Sequence, residues 1–353
     1  MDSNEIVAHS AWRCPSNIAI IKYWGKHGNQ LPVNPSVSLS LKNAFTEMEV
    51  TLTARKENDP VIAARLFLGE YRNEKFEQRI IHYFEGISGF LPFIRNYRFD
   101  INSENSFPHS SGIASSASSM SALALNLLSL ESQLGMANQD TDLFYRRASE
   151  LSRLASGSAS RSVYGGWSVW GELESVPGSS DEFAIPLPFS VHPIFAELQD
   201  AILITSSTPK KISSSAGHYL MSDHPYSQAR KAQALEHASR LIRVLQDGDF
   251  PEFARIAESE ALSLHALMLS SDPGYFLVNE FTLEIIDKVR AFREETGTNI
   301  CFTLDAGPNV HLLYPFEEKD NVRNFLREEL IMLCEGGKWI DDGAGSGPTL
   351  LQE

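Results

Sequence analysis

Cysteine is scarce in this chain: Cys14, Cys301 and Cys334 are the only three in 353 residues. Thiols so few and so scattered exclude a disulfide framework and a cysteine zinc cluster, and they fit a reducing cytosol. Long apolar runs are missing too, since none approaches the ~20 residues that span a bilayer. The opening MDSNEIVAHSAWR lacks the basic-then-apolar pattern of a secretory signal. Positive charge is in short supply, 30 Lys and Arg against 45 Asp and Glu, for a formal net charge of −15. That balance argues against nonspecific binding to nucleic acid or to an anionic membrane. The histidines supply no metal site, because His82, His218, His224, His237 and His265 lack ligand spacing with carboxylates. His265, within an apolar helical pattern, reads as a satisfied interior residue.

What is present is ordinary for a folded enzyme, with 42% hydrophobic and 21% charged residues. The length exceeds what one core comfortably fills and suits two packed lobes. Strand patterns appear at 46–54, 61–69 and 97–102, and helical spacing at 73–87, 116–134 and 141–154. In 116–134, Met120, Leu123, Leu127 and Leu130 fall three to four apart. Residues 162–173 look strand-like, and the turn-rich, acidic 174–185 reads as a surface excursion. A proline-punctuated connector follows, and the lobe boundary is expected near 195. Beyond it come strands at 200–206, 300–304 and 309–315, with helices at 226–246, 251–270, 276–296 and 320–334. The prediction is an α+β protein of two lobes, 1–195 and 196–353, the last residues returning as a strand to the first lobe.

Several cations sit beside small-residue turns: Arg13, Lys22 and Lys26, then Arg153 and Arg161, then Lys210 and Lys211. Local cationic turns in an acidic protein suit a phosphorylated metabolite, although any one alone reads equally as a solvated charge. The run Ser106–Ala117, SFPHSSGIASSA, leads straight into the strongest helix. Its backbone can close around an anion at the positive end of the helix dipole. The lysine of a GxxxxGK[ST] loop is absent, and by itself such a turn is equally a capped helix start. Asp305 follows the apolar run CFTL and precedes a tight Ala-Gly-Pro turn, which puts a carboxylate at a strand end facing a cleft.

PHSSGIASSAS resembles the nucleotide-phosphate loop of the superfamily of galactokinase, homoserine kinase, mevalonate kinase and phosphomevalonate kinase. NIAIIKYWGK at 17–26, SGSASRSVYGGW at 156–167 and TLDAGPNVH at 303–311 narrow the resemblance to mevalonate diphosphate decarboxylases. Weaker similarity runs through PVNPSVSLSL at 32–41, KKISSSAGH at 210–218 and SLHALMLSSDPGYF at 263–276. The resemblance implies a two-lobed fold with a central cleft, ATP as co-substrate with Mg²⁺, and a homodimer. It implies Asp305, Lys22 and Arg161 as the catalytic set, with Asp305 on the tertiary hydroxyl and Arg161 against the substrate carboxylate and Asp305. Tyr23, Lys26, Ser156, Ser158, Ser213 and Ser214 are implied for substrate phosphates. Ser110, Ser111, Gly112, Ala114, Ser115 and Ser116 are implied for ATP, with Ser115 or Ser116 as a ligand for magnesium. Trp24 reads as core packing, and Arg153 as a charge complementing its helix C-terminus.

The chain departs from the resemblance at Ser160, where relatives commonly carry cysteine, and at Ser215 and His218, where arginine and methionine recur. The last two leave mevalonate 5-phosphate and 5-diphosphate both open as substrate. A kinase that stops at the phosphorylated product and a silent binding protein are the competing readings. Lys22, Arg161 and Asp305 together favour the decarboxylase.

Overall fold

The computed structural model describes residues 5–107, 115–137, 140–208 and 214–352. The larger of its sheets contains β1 (Ile6–Ala19), β2 (Ser36–Ala54), β3 (Ala63–Leu68), β4 (Tyr97–Asn105), β5 (Trp167–Trp170) and β6 (Ala184–Pro186). β1 and β2 pair antiparallel from Ile6↔Thr53 to Ala19↔Ser38. A smaller antiparallel sheet holds β7 (Gln199–Leu203), β8 (Cys301–Leu304), β9 (Val310–Tyr314) and β10 (Trp339–Gly343), in the order β8-β9-β7-β10. The C-terminal β11 (Thr349–Gln352) then pairs with β1, Leu350 opposite Trp12. Mixed strands and helices packed around several hydrophobic clusters make this an α+β fold, as expected.

β2 shows why part of this was hidden. From Ala44 onward it alternates, Met48, Val50 and Leu52 facing the core with Glu47, Glu49 and Thr51 between them. Its first six residues are all buried instead, because β1 and β5 flank that half while Val37, Leu39 and Leu41 pack against helices of the second core. A strand covered on both faces loses the period-two signal. The second half of β1, buried without a break from Cys14 to Ala19, hides its period in the same way.

The helices are α1 (Glu74–Ile87), α2 (Ser115–Gln133), α3 (Thr141–Ala155), α4 (Ser227–Asp247), α5 (Phe250–Leu269) and α6 (Glu280–Thr296). α2 is buried around its whole circumference, not only on the stripe from Met120 to Leu130. Serine and alanine allow that close approach, and polar side chains of the helix bond to the strands it covers. Trp12 Nε1 donates to Ser129 Oγ at 3.0 Å, and Asn126 Nδ2 to the Met48 carbonyl at 3.0 Å. Two expectations need correction. The helix expected over 320–334 is α-helical only at Lys319–Phe325, then widens into a looser turn. The segment 174–185 is not wholly a surface excursion, because Val176 is buried in the second core and Asp181 accepts the Glu172 N–H.

One carboxylate joins the two sheets. Where β2 bulges, Asp342 of β10 accepts the N–H groups of Lys42, Asn43 and Ala44 at 2.7, 2.8 and 2.7 Å. Asp342→Ala strands these donors beside a buried core, at about 1–3 kcal/mol for each that water cannot reach. We expect a loss of about 3 kcal/mol in urea unfolding; an unchanged midpoint would show that the sheets hold together without it.

Candidate active site

β1 ends at Ala19 and delivers Lys22 to a position only 1% exposed. Its Nζ lies 3.1 Å from Oδ1 of Asp305, which sits just past the end of β8. The Asp305 turn is tied down by its own backbone: Gly307 N–H donates to the Asp305 carbonyl at 2.7 Å, and His265 Nε2 contacts that carbonyl at 3.0 Å. His265 is therefore the interior, satisfied residue its pattern indicates. Burial pushes the Lys22 ammonium below the ordinary lysine range, and the Asp305 carboxylate opposes it.

Arg161 closes the short helical turn that follows α3, and it is 2% exposed. One Nη donates to Ser36 Oγ, while Nε has no hydrogen-bond partner among the described residues. Burial brings this guanidinium down to about 10, with Asp305 pulling the other way. A buried cation holding an unused donor is poised for an anion. The hydroxyls of Ser116, Ser156 and Ser158 form a continuous line, 3.2 Å and then 3.4 Å apart, from the start of α2 to this turn.

Tyr23 is wedged between Trp170 (centroids 4.7 Å apart) and His218 (4.3 Å). Gly157 makes room for it, since a Cβ there would lie 2.7 Å from the Trp170 ring and 2.9 Å from the Tyr23 hydroxyl. Gly157→Ala should cost about 1–3 kcal/mol by overpacking and lower activity by displacing Tyr23 in the cavity. Thermal unfolding and steady-state kinetics check this, and unaltered values for both would refute it.

Lys22, Tyr23, Lys26, Ser116, Ser156, Ser158, Arg161 and Asp305 all line one cavity of about 170 Å³. Ser115 and Ser116 also line a neighbouring cavity of about 260 Å³, walled by α1 and β4 at the start of α2. Ser110, Ser111, Gly112, Ala114, Ser213, Lys210 and Lys211, with the side chain of Ser214, lie outside the described residues. Trp24 is buried among Met221, Leu264 and Met268, though its edge reaches the first cavity. One cation is corrected: Arg13 is a strand-surface residue paired with Glu47 at 2.5 Å. Arg153 lies in the last turn of α3, as expected, and is buried there, donating to the carbonyls of Glu182 and Asn29.

Three cavity residues were not assigned from the sequence. Asn17 donates to Ser162 Oγ at 2.7 Å and to the Ser158 carbonyl at 3.2 Å, which braces the serine turn. An amide within the apolar NIAII run was the available signal. Arg79 of α1 lines both cavities, and on an amphipathic helix nothing in the sequence distinguishes it. His218 accepts the Gly25 N–H on Nδ1 at 2.9 Å, so its ring proton sits on Nε2. Burial and the Lys26 ammonium bring its pKa down to about 3, so it is a neutral donor.

Among the described residues no group of three or more His, Cys, Asp or Glu is placed to hold a metal, and no helix is long and apolar enough to cross a membrane. Serine hydroxyls beside a phosphate-sized cavity fit a magnesium ion that arrives on a nucleotide and keeps most of its waters.

Family models match along most of the chain: a diphosphomevalonate decarboxylase-like N-terminal domain over residues 14–184, and a mevalonate 5-diphosphate decarboxylase C-terminal domain over 201–340. The diphosphomevalonate decarboxylase of Ganoderma lucidum is 31% identical over 324 residues, covering 86% of this chain and 77% of that protein. The mevalonate diphosphate decarboxylase of Staphylococcus aureus superposes with a TM-score of 0.82 at 28% identity, covering 98% of each chain. A further structure, solved in complex with MVAPP, AMPPCP and magnesium, gives 0.82 at 27% identity over 98% of this chain and 99% of that one. The fold is thus that of the galactokinase and mevalonate kinase superfamily, enzymes that work with ATP on small molecules. Within it, this chain belongs to the diphosphomevalonate decarboxylase family.

Proposed function

We propose that this chain converts mevalonate 5-diphosphate and ATP into isopentenyl diphosphate, ADP, phosphate and CO2. The γ-phosphoryl group passes to the tertiary 3-hydroxyl. The new bond is oxygen–phosphorus; the substrate's own C3–oxygen bond then breaks as phosphate leaves, and the electrons of the carboxyl carbon–carbon bond form the double bond as CO2 departs. The observation that carries this is the meeting of Lys22, Arg161 and Asp305 in one cavity, with an unused donor on Arg161.

Asp305 orients the hydroxyl and accepts its proton. Lys22, 3.1 Å from it, faces the charge that grows on the transferred phosphoryl oxygens. Arg161 holds the substrate carboxylate until carbon–carbon cleavage. Tyr23, Lys26, Ser156 and Ser158, joined by Ser213, Ser214 and the Nε2–H of His218, bind the diphosphate. The turn Ser110–Ser116 receives the ATP phosphates, and the 260 Å³ cavity receives the nucleoside. Magnesium bound with ATP, held by Ser115 or Ser116, would neutralise phosphate charge. The lobes 1–195 and 196–353, a cytoplasmic location and a homodimer complete the proposal, the last checked by light scattering.

The test supplies ATP with mevalonate, its 5-phosphate or its 5-diphosphate, and follows ADP, phosphate and CO2 separately. CO2 from the diphosphate is the expected result. ADP without CO2 would leave a kinase, and CO2 from the monophosphate alone would move the substrate assignment.

A further inference from the structure

Lys22 is pinned from behind by groups that do not line the cavity. Its backbone N–H donates to Glu260 Oε2 of α5 at 2.9 Å. Its carbonyl accepts Nη2 of Arg230 from α4 at 3.0 Å and the amide of Asn34 at 3.1 Å. Glu260 is fully buried, and Arg230 is clamped on it with contacts of 2.7 and 2.5 Å. His237 Nδ1 adds a contact to Oε1 at 2.8 Å. Such a cluster costs desolvation energy that well-packed apolar side chains would avoid, so stability alone is a weak reason for it.

We propose that Glu260 is a positioning residue for the reaction centre: it fixes the Lys22 backbone and supplies the second negative charge that the buried Lys22 ammonium faces. The proposal rests on the decarboxylase reading above for its kinetic consequence, but not for its electrostatic one. The charged groups around Lys22 are Asp305 after β8, Arg161 after α3, Arg230 on α4, Glu260 on α5, and His311 on β9, which is itself paired with Asp200 at 2.7 Å. Burial works against the ammonium, while Asp305 and then Glu260 support it. Glu260 itself stays ionised: burial raises its pKa, but His237, Arg230 and the Lys22 N–H bring it down to about 2. Glu260→Gln keeps the shape and an acceptor for the Lys22 N–H, and removes the charge.

The experiment titrates Lys22 in the full chain by carbon NMR of labelled lysine, assigned by the signal lost in Lys22→Met, alongside the pH profile of kcat. Glu260→Gln should lower the Lys22 pKa by about one unit or more. The alkaline limb of kcat should move down with it, and kcat should fall about tenfold with KM for ATP within about twofold, an effect of order that seen for misplaced catalytic groups. A folded Glu260→Gln with wild-type Lys22 titration and wild-type pH profile overturns the proposal. If that variant does not fold, Glu260→Gln/Arg230→Met removes both charges together and is read by the same two measurements. If the wild-type chain releases no CO2, the functional reading has failed, and the Lys22 titration still decides the role of Glu260.

Discussion

Asp305→Asn is expected to lose about 10²–10⁴-fold in kcat, the contribution of a positioned general base, while fold and ATP binding persist. The substitution is nearly isosteric, and the contacts that shape the turn survive it. Gly307 N–H and His265 both engage the main-chain carbonyl of residue 305, not its carboxylate. What disappears is the proton acceptor and the charge 3.1 Å from Lys22. The buried ammonium then keeps Glu260 but loses its stronger support, so its pKa falls further below the ordinary range. Activity should therefore fail in two ways, by loss of the base and by discharge of Lys22 at alkaline pH. Nucleotide binding by calorimetry should match wild type. Turnover within about tenfold of wild type would remove Asp305 from the proton-transfer role.

The residues that could be read from the sequence are those carried by short, contiguous segments. Asp305 sits between an apolar run and a proline turn, and Arg161 ends a serine-rich turn, so type and neighbours both point to the chemistry. Lys22 was legible in the same way, but the groups that hold it were not. Glu260 and Arg230 lie 238 and 208 residues further along, on helices whose own patterns show only a charged residue on an apolar face. Long-range pairing leaves no local trace. The second half of β1 and the first half of β2 were lost for a different reason, because burial on both faces erases alternation. Asp342 is a third case: its three backbone partners belong to a bulge, and a bulge is defined by register, which sequence spacing does not fix.

Arg161→Met should separate activity from stability in opposite directions. The guanidinium is buried, makes one side-chain hydrogen bond to Ser36, and leaves Nε without a partner among the described residues. Removing it does not orphan Ser36, whose hydroxyl donates to the Ile21 carbonyl at 2.6 Å. Burial lowers the Arg161 pKa from the ordinary arginine range to about 10, so the charged form is disfavoured in the folded protein. For a base with a depressed pKa, that penalty is fully present below about pH 10 and is relieved only as pH rises through the folded value. At neutral pH a methionine of similar volume escapes it, and the free protein should unfold at the same temperature or higher. Decarboxylation should nevertheless fall by about 10²–10³-fold, the cost of removing one preorganised charge from a reaction centre. The loss should appear in kcat/KM, because in the proposed mechanism Arg161 holds the substrate carboxylate before and during bond cleavage. A destabilised but fully active variant would mean that Arg161 is a packing residue and that the substrate carboxylate is held elsewhere.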